Sequence, residues 1–439
     1  MTRIDERVST HVYKVKRISK EEMESIAGVC VYDQPPFCNA ACPLKLDVKA
    51  MLKAAAENDF KKAFKIYESI APFPLILSAG CGAPCEEKCR LCELGDGIAI
   101  GDIERAVALS GGAGEKRSIF RVRKKKKAAV FGSGLFALLL AGELEKKGYP
   151  VTAICGEADE EEYLRVAAGF LRENDFYTEL KRLRGKDIAF EFNAEMTREL
   201  FEEKRGGFDV LCASEKAALD IFPGAVRDEG IMLMESEGLL TGGGETVLEA
   251  ALGARKAALT ADRLAQGIDP RSARGEEGPV TSRLYTNPDL ARGLIRIKGC
   301  ESGYTREQAA EEAGRCMQCH CDECLRGCAY LRRFNKHPGL LSREIYNNTQ
   351  IIMGDHPLNR AMNACALCGQ CTVTCPHGFD MAHVCRTARE NMVDTDKMPL
   401  AAHEFALLDM LFSNGEAYLC RKQPGHSHCR YVFFPGCQA

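Results

Sequence analysis

Apolar residues recur every three or four positions along VKAMLKAAAENDFKKAFKIYESI, residues 48–70, a helical period sustained over more than twenty positions. Around it Pro35, Pro36, Pro43, Pro72, Pro74 and Pro84 cut residues 1–122 into short helices and loops. The pattern then changes. KAAVFGSG, residues 127–134, reads as a short apolar strand entering a glycine turn. FALLLAGELEKKG follows as a helix closed by Gly148, and VTAIC is a second strand, which together make one βαβ unit. Residues 159–205 are charged and partly helical, FDVLCAS and IMLMES read as strands, and TVLEAALGARKAALTADRLAQG reads as a long amphipathic helix. Residues 269–304 are rich in Arg, Gly and Pro over most of their length and read as a linker, and a helix beginning near Thr305 leads onward. The expected class is an α/β multidomain chain: helical over 1–122, α/β over 123–268, a linker over 269–304, helical again over 305–395, and an incomplete segment over 396–439.

The net charge of −3 gives no general case for nucleic acid or an anionic surface. The one strong basic run, Arg121 to Lys127, stands before a strand and reads as a solvated linker. No apolar stretch approaches the ~20 residues that span a bilayer, and MTRIDERVST lacks the apolar core of a signal peptide. A soluble, cytoplasmic protein is expected.

Twenty-three cysteines change that picture. A reducing compartment disfavours a disulfide framework, so thiols this dense point to metal. Their distribution agrees: seven lie from Cys30 to Cys92 and nine from Cys316 to Cys375, with only Cys155, Cys212 and Cys300 between. Cys365-x2-Cys368-x2-Cys371-x3-Cys375-Pro376 is the most specific motif. Three thiolates at that spacing wrap one 4Fe–4S cluster, while the thiol before proline serves a second. In the preceding set, Cys316, Cys319 and Cys324 are read on one cluster and Cys328 as crossing to the other, with Cys321 spare or substituting for Cys319. Zinc sites favour separated pairs instead. The string Cys316-x2-Cys319-His320 also fits haem attachment, a reading that needs export and is set aside.

PPFCNAACPL, CGAPCEEKC and IGDIE, within residues 25–110, resemble the N-terminal iron–sulfur domain of the glutamate synthase small subunit and dihydropyrimidine dehydrogenase. The resemblance implies two 4Fe–4S clusters, one on Cys42, Cys81, Cys85 and Glu104, the other on Cys30, Cys38, Cys89 and the residue at 33. Asp33 stands where that pattern has cysteine, and a carboxylate is the harder ligand; Cys92 is an alternative donor.

The turn Gly132-Ser133-Gly134, with Ala137 in place of a third glycine, follows a strand and opens a helix, the arrangement that holds a dinucleotide pyrophosphate. Glu157 is the acid nearest the end of the second strand. Downstream, LLTGGGETVLEAALGARKAALTADRL resembles the closing FAD motif of the same flavoproteins, with Gly243, Gly244 and Glu245 at the expected turn and Gly244 where the family has Asp. Only 83 residues separate Glu157 from Thr241, too few for a second nucleotide domain. A reduced, Rossmann-like FAD-type domain is therefore expected, without NAD(P) binding, followed by a ferredoxin-like helical dicluster domain.

Residues 365–439, ending FFPGCQA, resemble the iron–sulfur subunits of heterodisulfide reductase and anaerobic glycerol-3-phosphate dehydrogenase. Together these readings describe an oxidoreductase module with FAD and three to four 4Fe–4S clusters. It would pass electrons to other redox subunits or a ferredoxin-like carrier inside a hetero-oligomeric anaerobic complex. The rivals are a complete NAD(P)H-dependent flavoprotein of the glutamate synthase small-subunit type and a zinc-stabilised scaffold. No residue pattern names a catalytic acid, base or nucleophile.

Overall fold

The computed structural model describes residues 19–111, 123–272, 274–299, 303–395, 404–413 and 424–431. They fall in two compact units. One is contiguous, Gln34–His320; the other is discontinuous, Met1–Asp33 with Cys321–Ala439.

The first described helix, α1 (Lys20–Ala27), belongs to the discontinuous unit. Ser19 and Glu22 close a capping box at its start, and it buries Met23 and Ala27.

The contiguous unit begins with five helices: α2 (Phe37–Ala41), α3 (Val48–Ala56), α4 (Phe60–Glu68), α5 (Pro74–Gly80) and α6 (Ile100–Ser110). The long apolar period over 48–70 becomes two helices rather than one. Asn58 sits in the left-handed region at φ 58°, a conformation Asn tolerates better than most residues. The Asp59 side chain accepts the Lys62 backbone N–H and starts α4 afresh. Met51, Leu52, Phe60, Phe64 and Tyr67 all remain on the buried side.

A six-stranded sheet follows, built from β1 (Ala128–Phe131), α7 (Leu135–Lys146), β2 (Val151–Ile154), α8 (Glu160–Ala168), α9 (Glu173–Arg184), β3 (Ile188–Glu191), α10 (Arg198–Arg205), β4 (Val210–Ser214), α11 (Glu215–Ile221), β5 (Leu233–Met234), β6 (Leu239–Gly242) and α12 (Val247–Gln266). The strand order is β3-β2-β1-β4-β6-β5. Every pairing is parallel except that of β5 with β6. Central β1 is buried on both faces: Ala128 and Val130 meet one core, Ala129 and Phe131 the other. IMLMES contributes only the two-residue β5. Residues 160–240 complete this one sheet. Their strands β3 and β4 flank β2 and β1. The described part of the basic run is tied to the same domain, with Arg123 on Asp187, Lys124 on Asp262 and Lys126 on the Ala265 carbonyl.

Gly142 of α7 lies so close to Pro72 that a Cβ there would stand 2.7 Å from its ring, and one on Gly80 would stand 2.2 Å from Val247, the first residue of α12. The N-terminal helices and the sheet domain therefore share one continuous core.

Residues 274–299 hold only a short 3-10 turn, Pro288–Leu290, yet they are fastened along the unit. Val280 donates to the Ala40 carbonyl at 2.8 Å, and Asp96 donates to the Leu294 carbonyl at 2.8 Å. This stretch delivers α13 (Arg306–Gly314), capped by Thr305 and Gln308, against α3 and α6. Fully buried Glu312 fixes it there. One carboxylate oxygen accepts the Ala99 N–H (3.0 Å) and pairs with Arg315 (2.5 Å); the other accepts the Ile297 N–H (2.9 Å). Arg315 in turn donates to the Asp96 carbonyl at 2.6 Å.

The discontinuous unit continues with α14 (Glu323–Gly327), α15 (Ala329–Phe334), α16 (Pro338–Gln350), α17 (Asn359–Ala364), α18 (Gln370–Thr374), α19 (Met381–Asp394) and α20 (Glu404–Ser413). Helix α16 packs on both α1 and α19, and Leu331, Leu341, Ile345, Met362, Phe379 and Met392 form the core. Among the described residues no helix is long and apolar enough to cross a membrane.

Removing one partner of a buried, hydrogen-bonded ion pair leaves the other charge uncompensated, at about 3–5 kcal/mol. Glu312→Ala strands Arg315 and two amide groups. It is expected to lower stability by about that amount in urea unfolding monitored by circular dichroism, whereas Glu311→Ala, one residue away, should change it by no more than about 0.5 kcal/mol.

Candidate functional site

Helix α5 ends at Gly80, and the next four residues turn sharply, with Gly82 and Ala83 in the left-handed region at φ 67° and 46°. This turn brings the Cys81 and Cys85 thiols together with Cys42, which follows α2, and with Glu104 on α6. Each of the three thiols feels the Glu104 carboxyl. Burial pushes the Cys81 thiol up to about 12, with Glu104 and then Cys42 adding to it, and raises Cys42 and Cys85 in the same direction. Glu104 is itself buried. Loss of solvent, and after it the nearby Glu86, raise its carboxyl to about 8, with Tyr67 working the other way. Three thiols and a carboxyl enclosed this way are poor anions until a cationic body sits among them, the environment a 4Fe–4S core supplies.

A second gathering in the contiguous unit differs from the one implied by resemblance. Cys38 lies within electrostatic reach of Cys316, Cys319 and Cys89. Burial raises the Cys38 thiol strongly and lifts Cys316 to about 11. The polar contacts are specific: Gln318 Nε2 donates to Cys316 Sγ at 3.4 Å, and Lys49 Nζ to the Cys319 carbonyl at 2.9 Å.

Cys30 and Asp33 stand in the discontinuous unit instead. Cys30 follows α1 and packs on Gly339 of α16, where a Cβ would meet the Cys30 Cβ at 2.8 Å. Its thiol neighbour is Cys375, and Cys324 in turn feels Cys30, Cys321 and Cys375. Cys321 thus joins Cys324, while Cys316 and Cys319 do not. Burial pushes Cys321 to about 11 and Cys324 to about 12. Asp33 is half-exposed and faces Arg343 at 3.8 Å. Cys92 is exposed, near Cys89, and donates to the Glu86 carbonyl at 3.5 Å.

In the same unit Cys365, Cys371 and Cys328 join one core, with Cys368 exposed between the first two. The sequence reading missed Cys385. It is fully buried on α19, beside Cys365, and 3.7 Å from the Tyr330 hydroxyl. Its only signal in the sequence is its place four residues after buried Met381. Arg389, also on α19, donates to the Met362 and Cys365 carbonyls and fixes the loop entering that motif. Cys420 and Cys437 lie outside the described residues, and Cys429 is exposed.

Every described cysteine is a free thiol. Among the described residues no three His, Cys, Asp or Glu side chains close tightly enough to share a single ion. A four-iron cluster is a body rather than a point and takes its thiolates at wider separation.

On the sheet, Gly132 and Gly134 have φ of 83° and 103°. A Cβ on Gly132 would lie 2.5 Å from the Ser214 hydroxyl, whereas Gly134 faces open space. No side chain caps the start of α7, and Ala137 is buried beneath it. Glu157 follows β2, and its Oε2 is buried without a hydrogen-bond partner. At the far turn, a Cβ on Gly244 would stand 2.5 Å from the Ala250 nitrogen, so an aspartate does not fit there without a shift of α12. Glu245 is exposed, and its N–H donates to Glu249.

The family model described as dihydropyrimidine dehydrogenase domain II, 4Fe-4S cluster, matches residues 7–112, and that described as 4Fe-4S dicluster domain matches residues 315–380. The chain carries two iron–sulfur domains. It is 28% identical over 230 residues to the NADPH-Fe(3+) oxidoreductase subunit beta of Geobacter sulfurreducens, covering 49% of this chain and 33% of that protein. It is 28% identical to the NADP(+)-dependent formate dehydrogenase subunit beta of Moorella thermoacetica (30% of this chain, 21% of that protein). It is 29% identical to the glutamate synthase [NADPH] small chain of Azospirillum brasilense (31% and 29%). The chain thus spans about a third or less of the length of these relatives.

Because the thiolate is the reacting form, the raised, buried thiols should resist alkylation even in iron-free protein. At pH 8, mass spectrometry after iodoacetamide treatment should show Cys85 modified at least ~10-fold more slowly than exposed Cys429.

Proposed function

We propose that this chain is an electron-transfer subunit of an oxidoreductase, passing electrons between a bound FAD and a partner through several 4Fe–4S clusters. The observation that carries the reading is the convergence of Cys42, Cys81 and Cys85 on the buried Glu104 carboxyl, against the start of α12. Gly80, the residue before Cys81, touches Val247, two residues after Glu245 in the turn read as the closing part of an FAD site. That contact lies inside one unit and supports a short path between the two groups.

The residues fit FAD at two points. Gly132 and Gly134 offer an uncapped helix start to a pyrophosphate, and Glu157 has an enclosed oxygen free for a ribose hydroxyl. FAD, when bound, exchanges one or two electrons at a time. Here Gly134 leaves room for the phosphates, Ala137 lets α7 lie close to the sheet, and the Gly243–Gly244 turn seats the start of α12. Glu104, Cys42, Cys81 and Cys85 would hold the nearest cluster. Cys365, Cys368, Cys371 and Cys328 hold another.

Residues 160–240 go to the first sheet, so we assign no nicotinamide site to the chain. The nicotinamide names of the relatives belong to proteins of which it matches a third or less. A second redox subunit or a ferredoxin-like carrier is then needed as donor or acceptor, in a hetero-oligomeric complex. Free thiols among the described residues suit a reducing, cytoplasmic setting.

Anaerobically purified protein is expected to contain iron, acid-labile sulfide and FAD. Glu104→Ala should lower iron by up to about four atoms per chain and abolish one EPR signal, while Glu245→Ala leaves iron unchanged. NADH or NADPH should not bleach the flavin of the isolated chain at catalytic rates. Stoichiometric zinc without acid-labile sulfide would overturn the reading.

A further inference from the structure

We infer that Cys38, Cys89, Cys316 and Cys319 together hold one 4Fe–4S cluster within the contiguous unit, a ligand set drawn two and two from the separate iron–sulfur domains. The inference rests on the electron-transfer reading above and specifies which thiols serve one of its clusters. It removes Cys30 and Asp33 from the cluster of Cys38 and Cys89, and it removes Cys316 and Cys319 from that of Cys324.

Three independent features of the chain bring these four residues together. The first is a polar bridge from the Cys38 segment. Asn39, next to Cys38, accepts the Lys49 backbone N–H through its side-chain oxygen at 3.0 Å. Lys49 then donates from Nζ to the Cys319 carbonyl at 2.9 Å, and its own carbonyl accepts from Gln318 Nε2 at 3.3 Å. Two residues of the 316–319 loop are thus bonded to one side chain and backbone that is itself tied to the neighbour of Cys38. The second is the Cys89 side. Arg315, just before Cys316, donates to the Asp96 carbonyl at 2.6 Å. Gly97, the next residue, packs on the Cys89–Cys92 turn: a Cβ on it would stand 2.5 Å from Cys92 Sγ and in van der Waals contact, at 3.6 Å, with the Cys89 Cβ.

The third is the shape of the loop. Gln318, the residue before Cys319, takes a left-handed φ of 50°. Leu367, in the same place before Cys368 of the Cys365-x2-Cys368 motif, takes 56°. A non-glycine residue in that region is strained and persists only where its surroundings impose it. The 316–319 loop has therefore the kink of the strongest iron–sulfur motif in the chain, and Gln318 uses its side chain to donate to Cys316 Sγ at 3.4 Å. Such a donor toward a sulfur favours its thiolate.

The complementary set follows by arithmetic of ligands. A run of cysteines at intervals of three would place a thiol at 318, ahead of Cys321 and Cys324, but Gln318 stands there. Cys30 makes up the deficit, beside Cys321, Cys324 and Cys375 in the discontinuous unit. Each unit then has its own complete sets, and no assigned set lacks a fourth donor.

The test is made on the full-length, anaerobically purified protein. Stepwise iron removal by a chelator is followed by alkylation and mass spectrometry of each cysteine, so no variant has to fold. Cys38, Cys89, Cys316 and Cys319 are expected to become reactive with one common time course, and Cys30, Cys321, Cys324 and Cys375 with another. Cys30 emerging with Cys38 and Cys89, or Cys316 emerging with Cys324, overturns the assignment. Variants give the second readout: Cys316→Ser and Cys38→Ser should each abolish the same EPR signal, and Cys30→Ser should leave that signal in place while removing the one lost in Cys324→Ser. Loss of a common signal in Cys30→Ser and Cys38→Ser also overturns it. Absence of acid-labile sulfide from the wild-type protein is a different failure, since it removes the electron-transfer reading itself.

Discussion

The buried pair of Glu312 and Arg315 sets the geometry on which the rest of the contiguous unit depends. Between them the two side chains bond to Ala99, Ile297, Asp96 and Gly293. They join residues 293–297 and 312–315 to residues 96–99, more than two hundred positions from the pair itself, which local propensity has no means of bringing together. An ion pair this enclosed contributes little net stability on its own, because desolvation offsets most of the attraction. Its consequence is register. With Glu312 satisfied by two backbone amides, α13 has one way to lie on α3 and α6, and the cysteines that follow it are delivered to one place.

The same logic applies to the proposed cluster ligands, which sit under apolar helices. Cys42, Cys85 and Glu104 share a core with Tyr67, Phe73 and Ile76. Taking thiols and a carboxyl out of water works against their ionisation. An apolar surround is therefore tolerable only where a strongly cationic partner offsets it. That requirement ties the stability of the helical region to its cofactor. It also separates these positions from Cys212, which is buried in β4 with no charged neighbour acting on it and behaves as an ordinary small apolar side chain.

Much of this was legible in the sequence. The period-3.6 stretches marked the helices, and the strand–glycine turn–helix pattern located β1, α7 and β2, because both are local signals. The break at Asn58 was not legible, since the apolar spacing on either side stays in phase and only the left-handed residue interrupts it. The strand read over IMLMES is only the two-residue edge strand β5, paired antiparallel with β6. The partition of the thiols proposed above departs from the one that spacing suggests. Cysteine spacing reports which residues are ligand-like, but it carries no address. The address of Cys316 and Cys319 is written in α13, through Ala309, Ala313 and Glu312, and that of Cys30 in α1, through Met23 and Ala27. Those are apolar contacts whose partners lie far away in the chain. The deviation at Gly244 was visible, but its reason, the backbone of Ala250 pressed against it, required coordinates.

The discontinuity of the second unit carries over to biosynthesis. Cys30 and α1 are made well before the elements that complete their unit, which start at Cys321. At ~5–20 residues per second, Cys375 is made on the order of 20 to 70 s after Cys30. The contiguous unit has its whole sequence available in the interval. Cys30 thus waits for its neighbours, and throughout that wait it is an unshielded nucleophile. Maturation of this protein in an oxidising environment would accordingly expose Cys30 to damage before its neighbours are made.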